Sequence, residues 1–188
     1  ALGNGSMNQA PDADGIVRRV PLVIRFGTEL FPTLSLEMFR VYNFIESYEL
    51  VTQVYGDVDV VKAVRVGKGA GSFEIPTDGF GQVNVPYVAG SSLGNNEHFP
   101  YISATDVLRD NLSEEERAAL ENALVLVGTS APGLGDIRAM PLQQFYPGVE
   151  VHANMLNALL ESSTVLEVSS GTASTESVFD GFTCPVSL

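Results

Sequence analysis

The chain has 188 residues, 45% hydrophobic and 18% charged, a globular composition long enough to bury a core. Asp and Glu number 23 against 10 Lys and Arg, a formal charge of −13 that repels phosphate backbones and anionic headgroups, so nucleic acid is excluded as a partner. The single cysteine, Cys184, rules out an intramolecular disulfide and Cys-rich zinc sites, and no apolar run approaches the roughly 18 residues of a membrane span.

Residues 1–15 are rich in Gly, Asn and Pro and close on Asp12-Ala-Asp-Gly15, a turn signal. Ile16–Phe26 reads as a strand in which Pro21 marks an irregularity or an edge. Thr33 or Ser35 is placed to cap a helix through about Phe44, because Leu34, Met38, Val41 and Ile45 recur at helical spacing and Leu36 and Phe39 widen the apolar face. Val58–Val66 is a second strand, followed by a tight Gly67-Lys-Gly-Ala-Gly71 connection. Phe73-Glu-Ile75 and Gln82–Val88 flank a Gly-rich turn and read as two more strands.

Ser91–Glu97 is a polar loop. Ser103 caps a short helix carrying Val107 and Leu108, and Ser113 with Glu116 forms a capping box before another, through Leu120. Leu124–Val127 is too continuously apolar to face water and reads as a buried strand. A long loop, Gly128–Pro147, follows, with Gly or Pro at six positions. Val149–Leu160 then reads as a helix with Val151, Met155, Leu156, Leu159 and Leu160 turned inward. Residues 162–188 form a Ser/Thr/Gly-rich tail of little regular structure, which leaves 1–161 as the domain. Interleaved strands and helices predict an α/β layered sandwich with a mixed central sheet and flanking helices.

Ligands of open α/β sheets bind beyond the carboxyl ends of strands, where loops offer backbone donors and small polar side chains. The loop after Leu124–Val127 fits that position. Thr129 and Ser130 supply hydroxyls, Asp136 and Arg138 supply opposite charges, and these four are the candidate ligand contacts. The competing structural role is a local Asp136–Arg138 pair that shapes the loop. Ser130, Asp136 and His152 follow the Ser-Asp-His order of α/β-hydrolases, which makes a Ser130-dependent hydrolase the rival reading. However, Gly128-Thr-Ser-Ala-Pro132 is not a nucleophile elbow, and His152 is expected on a helix flank, hydrogen-bonded or in solvent. Arg18 and Arg19 are adjacent on a strand, so at most one should face a common site. The glycines at 67–71 form a turn and not a phosphate loop. No metal or other cofactor is expected, since His98 and His152 have no second ligand at useful spacing.

Four stretches together resemble the second type of CHASE domain. They are Pro11-Asp-Ala-Asp-Gly-Ile-Val-Arg-Arg-Val-Pro-Leu22, Leu30-Phe-Pro-Thr-Leu-Ser-Leu-Glu37, Leu124-Val-Leu-Val-Gly-Thr-Ser-Ala-Pro-Gly-Leu-Gly-Asp136 and Pro147-Gly-Val-Glu-Val-His-Ala153. The resemblance implies the extracytoplasmic sensory part of a bacterial inner-membrane receptor, periplasmic or cell-surface. Its output would be a cytoplasmic adenylate cyclase, histidine kinase or Ser/Thr kinase. Such a domain is not itself an enzyme, and it meets the membrane only through anchors outside this chain. The family pattern carries a substantial first half before the Asp-x-Asp-Gly-x-x-Arg-Arg stretch, so the chain reads as the C-terminal part. The expected partners are a small molecule or a periplasmic protein, and a second copy joined through a sheet edge or the apolar face of the 33–45 helix. A ligand-free dimerisation module is the third reading.

Overall fold

The computed structural model describes residues 2–69, 72–88, 91–92, 95–96, 99–129, 136–141 and 143–169. The strand expected over 16–26 divides at Leu22, so β1 (Arg19–Pro21) and β2 (Val23–Phe26) join different sheets. Leu22 donates its N–H to the Gly81 carbonyl at 3.0 Å, and its own carbonyl accepts from Thr33 at 2.8 Å. β2 pairs antiparallel with β3 (Glu29–Pro32) across a two-residue loop whose first member, Gly27, takes φ +63°. Thr33 then caps α1 (Leu34–Tyr42) as expected, its hydroxyl accepting from Leu36 N.

β4 (Tyr48–Tyr55) and β5 (Val58–Val66) form a long hairpin, and β6 (Phe73–Pro76) adds a third strand to it. The β4–β5 register shifts between Val51 and Thr52, where Lys62 of β5 is the extra, unpaired residue. β7 (Gln82–Asn84) pairs with β1, and β8 (Ser91–Ser92) pairs with β9 (Asn95–Asn96). Two short helices follow, α2 (Ala104–Arg109) and α3 (Glu114–Leu120), the latter opened by the Ser113–Glu116 capping box. β10 (Ile137–Met140) and β11 (Gln143–Pro147) form a hairpin that leads straight into α4 (Gly148–Ser169).

The mixture of helices and strands is as expected, but the described strands form five small antiparallel sheets and not one mixed central sheet. Parallel association is limited, among the described residues, to isolated bridges at Ser6–Thr33 and Ile16–Ala139. Proline explains part of this. β1, β3, β6 and β11 each end on a proline, which cannot donate into a ladder.

The core lies between α1 and α4 on one side and strands on the other. Leu36 and Phe39 meet a helix that buries Val151, Met155, Leu156 and Leu159, and Val20, Val64, Val66, Ile75 and Val83 close it from the sheets. Phe39 and Phe73 pack edge to face, with ring centroids 5.8 Å apart. Leu36 and Phe39 of α1 are thereby buried inside the domain, while Leu34, Met38, Val41 and Ile45 are half-buried.

Three further expectations are corrected. Leu124–Val127 is not a strand. No described strand lies beside it, and Val125 and Val127 are 53% and 81% exposed. Ser103 stands at the N-cap of α2 but its side chain makes no capping bond, and α2 and α3 bury no residue. Finally, α4 continues through Ser169 and does not end near Leu160. Of the proposed tail, residues 170–188 lie outside the described residues, as do Cys184 and His98.

Candidate functional site at the start of the long helix

The β10–β11 hairpin folds Asp136 back onto the first residue of α4. Ile137 is registered against Pro147 and Arg138 against Tyr146, and Gly148 N–H donates to the Asp136 carbonyl at 2.8 Å. The Asp136 carboxylate lies against the Gly148 Cα, where a side chain on residue 148 would overlap it. A negative charge there suits the positive end of the helix. Arg138 pairs with Asp136 at 3.6 Å, so the local ion pair weighed from the sequence is present.

The other end of the loop also reaches α4, since Gly128 packs directly on Val149. Thr129 follows it and is exposed. The structure thus brings Thr129, Asp136 and Arg138 to the two feet of one loop beside one helix terminus. Ser130 and residues 131–135 lie outside the described residues.

The sequence reading missed what lies beneath. α4 begins so deep in the domain that Glu150, His152 and Asn154 are 2%, 1% and 1% exposed. Asn154 is fully used: its side-chain oxygen accepts from Val88 N at 2.9 Å, and its amide donates to the Tyr146 hydroxyl and the Glu150 carbonyl, each at 2.7 Å. Glu150 accepts from the Tyr101 hydroxyl, the polar tie between the 99–129 arm and the helix. Burial pushes its carboxyl up to about 7.

His152 is different. Both ring nitrogens are buried, and among the described residues neither has a partner in full hydrogen-bond geometry, although the Met7 backbone comes close enough to act as a hydrogen-bond partner and, with the Asp136 charge, to raise the ring's proton affinity. Burial dominates and holds the imidazole below its ordinary proton affinity, so it is neutral at pH 7. The ring is on the buried face of α4 and neither on its flank nor in solvent. Nearby, Gln9 donates its amide to the Gly148 carbonyl at 2.8 Å and leaves its own side-chain oxygen buried and unpartnered. The signal for His152 was legible: it precedes Met155, Leu156 and Leu159 by three, four and seven residues, which places it on the inward face.

The hydrolase geometry is not met by the described pair. A catalytic base donates a hydrogen bond to its orienting carboxylate, and neither His152 nitrogen makes one to Asp136.

A second polar cluster holds the amino-terminal segment. Arg18 donates to Asp12 at 2.9 Å and to both oxygens of Asp14, while Arg19 donates to Asp12 at 2.9 Å and reaches Asp78 at 3.4 Å. Both arginines meet on Asp12, against the expected alternation, because Arg18 precedes β1 and is not in a ladder. Hydrogen bonds from Arg18, and then Arg19, hold the Asp12 carboxyl below its usual range. Those from Arg18 and the Ile16 backbone lower Asp14 to about 2. Every donor in this cluster faces a carboxylate, so it reads as a clasp for the chain.

Fold and site together define an α/β domain with a polar cluster buried at the start of its longest helix, and no described helix is long and apolar enough to cross a membrane. The chain matches the CHASE2 domain over residues 1–180 and belongs to that family, which is a family of extracellular sensory domains. No curated protein and no solved structure gives a significant match.

Proposed function

We propose that this domain is the signal-receiving part of a bacterial transmembrane receptor, coupled to a cytoplasmic adenylate cyclase, histidine kinase or Ser/Thr kinase. It takes a small molecule or a periplasmic protein at the start of α4. The contacts are Thr129, Ser130, Asp136 and Arg138, with His152 and Gln9 beneath them. One observation carries this reading. Buried polar atoms short of a partner are rare and unfavourable, and among the described residues three of them, on His152 and Gln9, gather beside the start of α4. A ligand, or ordered water that a ligand displaces, would satisfy them.

The domain itself catalyses nothing in this account, and ligand binding shifts a conformational population read by the output module. Residues 1–161 are its sensory body. The working unit is a homodimer, in which the exposed Leu124–Val127 segment gains a strand partner and extends the sheets towards the layered sandwich that its apolar run implies. Thermal-shift screening against small metabolites tests the binding claim, because a ligand of the folded state raises the melting temperature. A compound that stabilises the natural chain and not the Asp136→Ala variant supports it. Equal stabilisation of both removes Asp136 from the site.

A further inference from the structure

The β2–β3 hairpin puts Val23 and Arg25 on one face, two residues apart, and sets Leu30 directly across from Arg25. That face lines a groove of about 470 Å³, whose other walls are Thr28, Leu50, Val61 and the Phe80–Gly81 turn. The volume is within the roughly 300–1,000 Å³ of small-molecule sites.

Arg25 is the one charged residue among the described lining, and its guanidinium forms no ion pair or hydrogen bond with any described residue. Scarcity of carboxylates does not explain this, since the chain carries 23 acids against 10 bases. Arg18, Arg19, Arg40, Arg65, Arg117 and Arg138 each find one. Arg25 instead stands in a row of apolar side chains.

The opposite lip is built as firmly as a surface turn can be. Asp78 Oδ1 accepts from Phe80 N at 2.9 Å and from Gln82 N at 2.8 Å, and Gly81, at φ +75°, donates to the Asp78 carbonyl. This turn holds the Phe80 ring 84% exposed.

We infer that the groove binds a small amphipathic anion, its acid group on Arg25 and its apolar body between Val23, Leu30, Leu50, Val61 and Phe80. A second copy of the chain fits less well, because the dimer proposed above is joined through Leu124–Val127, which shares no residue with this groove, and a further stable interface needs roughly 1,000 Å². This site shares no residue with the one at the start of α4, so either can fail without the other.

The test is titration of the 188-residue chain with the amphipathic anion anilinonaphthalene sulfonate, competed in turn by decanoate, decanol and decyltrimethylammonium. The expected result is saturable one-to-one binding, displaced best by decanoate. Arg25→Gln should weaken decanoate about tenfold and leave decanol unchanged. Phe80→Ala should weaken all competitors, and neither variant should lower the melting temperature, since both side chains are exposed. Three outcomes overturn the inference: no saturable binding, affinity indifferent to Arg25→Gln, or variants that change the sedimenting mass and not the binding, which would give the groove to a second copy.

Discussion

Gly128 lies so close to Val149 that a Cβ on the glycine would stand 2.6 Å from the valine Cβ and Cγ1. One foot of the candidate ligand loop is thereby set on the first turn of α4 with no room for a methyl group. Gly128→Ala should destabilise the domain by about 1–3 kcal/mol, the usual effect of overpacking. Urea unfolding measures this, and adding Val149→Ala should recover most of the loss, because the two sites share one contact. Additive losses in the double variant would mean that the contact does not set the foot.

The buried acid and the buried base on α4 give stability a defined dependence on pH. Glu150 has its folded pKa raised to about 7 from 4.5, so its contribution is fully present below pH 4.5 and is lost as pH rises through 7. By linkage, at most about 3 kcal/mol is at stake. His152 has its folded pKa lowered from 6.5, so its contribution holds above 6.5 and is lost as pH falls below that value. The melting temperature should therefore peak in mildly acidic solution. Glu150→Gln should remove the fall on the alkaline side and leave the acid side in place. An alkaline limb that survives this change would assign it to other groups.

Much of the frame was legible in the sequence. Thr33, the Ser113–Glu116 box and the apolar period of α4 signal their helices through local chemistry, and local chemistry survives folding. β4 was illegible because Tyr48, Leu50, Val51, Val54 and Tyr55 do not alternate along it, and most of the strand is exposed. Leu124–Val127 was misread for a different reason: an apolar run states a preference for burial, while a strand also needs a partner, and no described strand lies beside it. At the site, Asp136 and Arg138 were found from their loop. His152 went unplaced because the reading put it on the flank of α4, although its spacing to Met155 and Leu159 argued otherwise.

His152→Leu tests whether the unpartnered ring is a structural liability. Replacing a buried polar group without partners by an apolar one of similar size is neutral or stabilising, so the melting temperature should hold or rise. A drop of several degrees would indicate that ordered water satisfies the ring and that the cluster is architectural. Stability kept while signalling is lost is the pattern of a functional site held under strain.

The sensory account stands or falls most directly on the response of the intact membrane receptor carrying Asp136→Ala. The carboxylate is partly exposed and its ion pair with Arg138 is long, so its loss should alter stability by no more than about 1 kcal/mol. The measurement is output-enzyme activity across stimulating conditions, with circular dichroism of the isolated domain as the control for folding. The expected result is a folded domain whose receptor no longer changes its output. A receptor that responds as the natural protein does, or a domain that unfolds, would contradict the claim that the start of α4 receives the signal.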